Sequence, residues 1–368
     1  AKMSLVAAIA VAGLTSTATA GSLEEAIKGV NISGSVQYTM EKDVQKSDGN
    51  DSEAQHDIDV SITAVVPVND MVTATLRLDE ANDDDTDADS QGATAKNSGS
   101  LNLDLDRAFF TYNNNGLTAS FGLMSAPASI DQQGDGVTVA KTINDITLSA
   151  GYFYNTGMDT DEVYYAGIDG AVSGVTYGAS YHVKDNSSSS NNDGTATDTG
   201  ADMLIASLST TIENISLAVN YTARDSDIST TDKQTQFKLT AGTTVGPVAL
   251  EAIYGVNGKN GGQSTFDDSD TAASTISIGD LVLNDEGDAS AFVISGSIAV
   301  GEKGTAKLTY ATTDNDATSS DLDVIVAKYT YAMSSNFSTW IQYEVDKDEA
   351  AATASDHKEF VLGAKYSF

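Results

Sequence analysis

The stretch KEFVLGAKYSF, Lys358 to Phe368, decides how the rest of the chain is read. Phe360, Leu362, Ala364, Tyr366 and Phe368 alternate with Glu359, Val361, Gly363, Lys365 and Ser367. A period of two sends successive side chains to opposite faces of a strand, so the two faces here meet different surroundings. The apolar face carries aromatic residues at both ends. An edge strand of a soluble sandwich and the last strand of a closed barrel both have this form.

Working outward, the same alternation recurs through the chain. Eighteen period-two segments fall at roughly 31–40, 56–66, 71–78, 101–112, 116–124, 136–143, 146–155, 162–171, 174–183, 201–211, 214–223, 234–244, 247–256, 289–300, 304–313, 321–331, 336–345 and 358–368. In the second, Ile58, Val60, Ile62, Ala64 and Val66 alternate with Asp57, Asp59, Ser61 and Thr63. Such lengths suit tilted strands crossing an apolar band of about 25 Å. The connections alternate between short and long. The short ones are Pro67–Asp70, Asn113–Asn115, Asn144–Asp145, Val172–Ser173, Ile212–Glu213, Val245–Gly246, Gly301–Lys303 and Ala332–Ser335. One end of the structure should therefore hold tight turns and the other large loops, a sorting that a soluble sandwich has no reason to adopt.

Composition agrees with this frame. The chain has 368 residues, no cysteine, 15 Tyr, 10 Phe and one Trp. Disulfide frameworks and thiolate metal sites are excluded. All 15 Tyr fall inside the expected strands, as do nine of the ten Phe, with Phe266 the exception. Net charge is −34, which excludes the basic footprint of a nucleic-acid binder. The nine long connections hold 35 of the 53 acids against eight bases, so most of the acidity belongs to one rim. Beyond the N-terminus no apolar run approaches the ~20 residues of a membrane helix, whereas a closed barrel spans a bilayer with every backbone group paired.

At the N-terminus Lys2 precedes an apolar run from Leu5 to Leu14, and Ala18-Thr19-Ala20 follows. This layout predicts a signal peptide over 1–20 with cleavage after Ala20. Residues 21–30 read as a short periplasmic segment in which Ser22 and Glu25 have capping-box spacing, and 31–368 as the barrel.

Three stretches carry a family likeness: SLEEAIKGVNISGSVQY (Ser22 to Tyr38), the block from Asp106 to Asn155 that contains DRAFFTYNNNGLTASFGLMSAP, and the closing strand. Together they resemble the major outer-membrane porin of Campylobacter-type bacteria, within the general Gram-negative porins. The resemblance implies an antiparallel transmembrane β-barrel of eighteen strands, sixteen being the alternative count, with short periplasmic turns and long extracellular loops. It further implies a homotrimer in outer-membrane lipid that passes small hydrophilic solutes and often prefers cations. Phe360, Leu362, Tyr366 and Phe368 would form the membrane assembly signal.

By the same resemblance Ser125 to Asp135 would fold into the lumen as the constriction loop, with Asp131 and Asp135 as its acids. Arg77, which alternates with Leu76 and Leu78, should face inward across from it. Arg107 sits where the alternation changes phase, beside inward Asp104 and Asp106, so parity does not place it. Leu123 and Met124 stand where a further base is expected, which weakens the positive side of the site. Arg77 and Arg107 equally read as plain counter-charges to neighbouring acids. Lys238, Lys307, Lys328, Lys365, Glu251 and Glu344 read as lumen lining.

The run DEANDDDTDAD places Asp83, Asp84, Asp85, Asp87 and Asp89 at an acidic mouth. Its EF-hand likeness fails at Ser90 and Lys96, which leaves weak calcium binding or a solvated loop, and no other cofactor. The resemblance adds a lumenal calcium whose ligands the residues do not identify. Neither G-x-S-x-G nor H-E-x-x-H occurs, so an enzyme is not expected. The expected function is passive diffusion through a cation-preferring channel. The alternatives are an adhesin or structural barrel plugged by segment 257–288, whose apolar piece Thr275–Leu283 is either an extra strand or an infolded loop, and a soluble secreted β-protein.

Overall fold

The computed structural model describes residues 29–45, 54–80, 103–127, 133–154, 162–185, 200–226, 233–262, 265–266, 275–279, 281–283, 287–315, 321–348 and 356–368. The first half forms β1 (Asn31–Gln45), β2 (Ala54–Asn69), β3 (Val72–Glu80), β4 (Leu103–Asn114), β5 (Leu117–Ser125), β6 (Gln133–Ile143), β7 (Ile146–Tyr154), β8 (Glu162–Val172), β9 (Val175–Asp185) and β10 (Ala201–Ile212). The second forms β11 (Ile215–Ser226), β12 (Gln234–Val245), β13 (Val248–Asn257), β14 (Ile276–Ile278), β15 (Leu281–Leu283), β16 (Ala289–Val300), β17 (Gly304–Asn315), β18 (Leu322–Ala332), β19 (Phe337–Asp348) and β20 (Asp356–Ser367).

Eighteen of these make one antiparallel sheet in which neighbours in sequence pair, β13 pairs with β16, and β20 returns to β1. Closure leaves no unpaired edge. The eighteen-strand count holds and sixteen does not. Each expected segment lies in one of these strands, with ends displaced by up to five residues. The expected turn Pro67–Asp70 is one difference: β2 runs on through Asn69, with the register shift between Pro67 and Asn69 absorbing the proline.

Alternation sorts the wall into two faces. Phe292, Ile294, Leu308, Tyr310, Ile325, Ile341, Leu362 and Tyr366 are exposed large hydrophobics on one face. Their neighbours Ala291, Val293, Ser295, Thr309, Ala311, Val324 and Glu344 point the other way and are buried. Only the outward face of a barrel can present so much apolar surface to a bilayer, so the second set lines the lumen. Tight turns gather at one end. Asn115 and Gly116 have φ of 47° and 73°, the left-handed pair that a two-residue hairpin turn requires. β14 and β15 stand outside the main sheet as a separate two-stranded hairpin.

The lumen as candidate functional site

On one side of the lumen β3 and β4 carry a charge cluster. Register runs Arg77↔Arg107 and then Leu78↔Leu105, so Asp106 is the extra residue of a β-bulge. A bulge turns two successive residues toward one face. This explains the change of phase at Arg107 and brings both arginines onto one carboxylate. Asp106 Oδ2 lies 3.3 Å from Arg77 Nη1 and 3.1 Å from Arg107 Nε. Arg77 also pairs with Asp79, and Gln133 of β6 donates to Asp106 Oδ1. The side chain of Asp106 is 9% exposed, against 27% and 31% for the arginines, so the shared acid is the least exposed of the three. Both arginines thus contact carboxylates of nearby residues.

Across the ring, the connection between β13 and β16 enters the barrel. Ile276, Leu281 and Leu283 of the β14–β15 hairpin pack with Ala289, Ala291 and Val293 of β16, Ala311 of β17 and Val324 of β18. These are lumen-facing wall positions. Small side chains on the wall make room for large ones on the hairpin, and burial at about 25 cal/mol per Å² of apolar area holds it there. Polar ties add direction: Lys238 Nζ donates to the Thr275 carbonyl at 2.8 Å, and Gln236 Nε2 donates to the Leu283 carbonyl at 2.7 Å. The hairpin turns at Gly279, whose φ is +57°. A Cβ there would overlap the carboxylate of Glu344, so glycine is needed both for backbone conformation and for close approach.

The same connection touches a second wall. Phe266, 5% exposed, packs with Val163 of β8 and with Ala201 and Met203 of β10, and Ala126 adjoins them. Phe266 is the single Phe outside the expected strands, and this contact accounts for it. Segment 257–288 is thus anchored on two separated arcs of the barrel wall.

The structure places the other sequence-derived residues as follows. Asp104 pairs in register with Asp79 and is exposed. Asp135 lies in β6 opposite Leu123 and shares the strand parity of the outward, exposed Val137 and Val139. Because β6 starts at Gln133, only residues 126–132 connect it to β5, a shorter link than the 125–135 loop expected from the resemblance. Asp131 and the run containing Asp83, Asp84, Asp85, Asp87 and Asp89 lie outside the described residues. So does the expected signal peptide. Leu362, Tyr366 and Phe368 face outward and are exposed, with Tyr366 and Phe368 stacked at 6.0 Å, and Phe360 is half-buried.

The three histidines contact residues of their own or a neighbouring strand. His56 bonds Tyr38 Oη at 2.6 Å, buried His182 bonds Ser180 Oγ at 2.7 Å and stacks on Tyr165, and His357 meets Asp346 at 3.1 Å. Among the described residues no group of three or more His, Asp or Glu side chains is arranged to hold a metal ion.

A family model described as the Campylobacter major outer membrane protein matches residues 1–210. The chain belongs to that family. Family membership places the barrel in the outer membrane. The fold is similar to that of Pseudomonas aeruginosa OccK3 (OpdO), with a TM-score of 0.67 at 12% identity over 94% of this chain and 97% of that one. Pseudomonas aeruginosa OpdQ matches with a TM-score of 0.63 at 13% identity over 92% and 98%, and Acinetobacter baumannii OccAB4 with 0.63 at 10% identity over 92% and 98%. At such identities these likenesses speak for the fold alone. No curated protein matches the chain in sequence.

Proposed function

We propose that this family member is a passive diffusion porin whose bore is set by segment 257–288 on one side and by the Arg77–Asp106–Arg107 cluster on the other. The observation that carries this reading is the seated β14–β15 hairpin, which narrows the lumen while lying along its wall. Going around the ring from β17 through β18, β19, β20, β1 and β2 leads to β3 and β4, so the charge cluster faces the hairpin across the bore. A permeating ion passes between an apolar roof and a charged wall, and the chemistry needed is hydration and field alone. The acidic long connections favour cations at the outer mouth. No catalytic group enters the mechanism. The assembly in this reading is a homotrimer, supported by the family resemblance.

Reversal potential across a planar bilayer in a tenfold KCl gradient tests the proposal. Stable steps with a potential on the cation side are expected. Steps without selectivity would retain the porin and remove the role of the acidic mouth. A second reading, a barrel plugged by segment 257–288 whose acidic loops bind a partner, draws on the same inserted segment. It requires folded protein that shows no steps until that segment is deleted.

A further inference from the structure

Periplasmic to the hairpin, the inner wall carries charge of the sign opposite to that of the chain as a whole. Lys307 of β17 and Lys328 of β18 are direct cross-strand partners on the lumen face. Directly opposed residues have Cβ atoms about 4.5–5.5 Å apart, and like charges so placed repel. Among the described residues no carboxylate lies within ion-pair distance of either ammonium.

The surroundings give this pair a shape. Trp340 of β19, the one Trp of the chain, lies over Gly363 of β20, where a Cβ would overlap the indole. Lys328 Nζ stands 5.4 Å from the centroid of that ring, a cation–π distance that holds the ammonium in place. Gln342 is the cross-strand partner of Lys328, and Lys365 adds a third ammonium on β20 opposite Ser338. Two acids on this wall have hydrogen-bond partners of their own. Glu344 is buried against the hairpin turn and accepts from Gln342 Nε2 at 3.3 Å. Asp59 accepts from Gln37 at 3.1 Å.

We propose that Lys307, Lys328 and Trp340 form a lumenal subsite for small organic carboxylates, a reading that rests on the porin function and names one class of solute for it. A carboxylate between the two ammoniums replaces their repulsion with charge-assisted hydrogen bonds to two oxygens. The indole offers its apolar surface to the carbon portion of the solute. The hairpin roofs the site on the outer side, so an anion arriving from the periplasm reaches it without crossing the acidic outer mouth.

The single Trp makes the test direct. Folded protein in detergent is titrated with potassium succinate while Trp340 emission is followed, with KCl at matched ionic strength as the reference. A saturable change with succinate beyond that with KCl is expected, weakened at least tenfold in the Lys307→Gln/Lys328→Gln double variant and retained in the Lys307→Arg/Lys328→Arg variant. Superimposable succinate and KCl curves overturn the subsite, as does a double Gln variant that still runs as folded barrel and titrates like the parent. Parallel bilayer recordings keep the two claims apart. Channel steps with no emission response remove the subsite and leave the porin, whereas saturable emission without steps supports the subsite and removes the porin.

Discussion

Gly34 and Phe368 exchange two backbone hydrogen bonds of 3.0 Å each, and with them the first strand meets the end of the last. A Cβ at Gly34 would overlap the Ser61 carbonyl oxygen on one neighbour and come within 2.8 Å of the Phe368 ring on the other. The seam therefore depends on an absent side chain at one position and an aromatic one at its partner.

Gly34→Leu is expected to block closure, so that the heat-modifiable folded band on an unboiled gel is largely lost. Phe368→Ala removes the Tyr366 stack, worth about 0.5–1.5 kcal/mol, together with lipid-facing area, and should lower the folded fraction less severely. If Gly34→Leu refolds as well as the parent, the seam tolerates a side chain and this account of it is wrong.

Asp106 is shared by two arginines. Asp106→Asn leaves Arg77 and Arg107 facing each other with Asp79 alone to share. Removing one partner of a fully buried pair costs about 3–5 kcal/mol, and the exposure of both arginines to the lumen should reduce that to roughly 1–2 kcal/mol. Reversal potential should move toward anions, and the urea midpoint should fall modestly. An unchanged potential would place the cluster away from the ion path.

The hairpin turn offers a separate lever. Gly279→Val meets both a left-handed φ and the Glu344 carboxylate, so the turn should lift from the wall. Single-channel conductance is expected to rise, and replacing 275–283 by a Gly/Ser linker should raise it further. Equal conductance in all three proteins would show that the hairpin does not limit the bore.

Charge at the outer mouth acts over a distance that salt controls. The Debye length falls from about 8 Å at physiological salt to about 3 Å at 1 M. Cation preference should decline over that range, and changing Asp83, Asp84, Asp85 and Asp87 together to Asn should reduce it at low salt. Selectivity that ignores both changes would rule out the rim mechanism.

Much of the lumen cluster is legible in the amino-acid sequence. Strand parity is local, so it turns Arg77 inward, and the break in alternation at Arg107 is plain in the residues themselves. That the break is a bulge with Asp106 at its apex is not, because a bulge is defined by the partner strand. Family resemblance assigns the 125–135 loop to the constriction. Here β6 begins early enough to shorten that link, and Asp135 takes the parity of Val137 and Val139. The 257–288 segment shows the opposite case. Its apolar piece and Phe266 stand out in the sequence, but their destinations do not, since a loop's path is set by distant walls.

The sequence by itself pointed to eighteen wall strands with sixteen left open, to the outward face of most of them and to the sorting of short turns to one end. Those properties follow from a period of two and from turn chemistry, which act over a few residues. Only the tertiary structure decided which residues meet across strands: Asp106 between two arginines, Gly279 against Glu344, Phe266 on β8 and β10, and Lys307 opposite Lys328. Register and loop trajectory depend on contacts between residues far apart in the chain, and such contacts exist only once the barrel has closed.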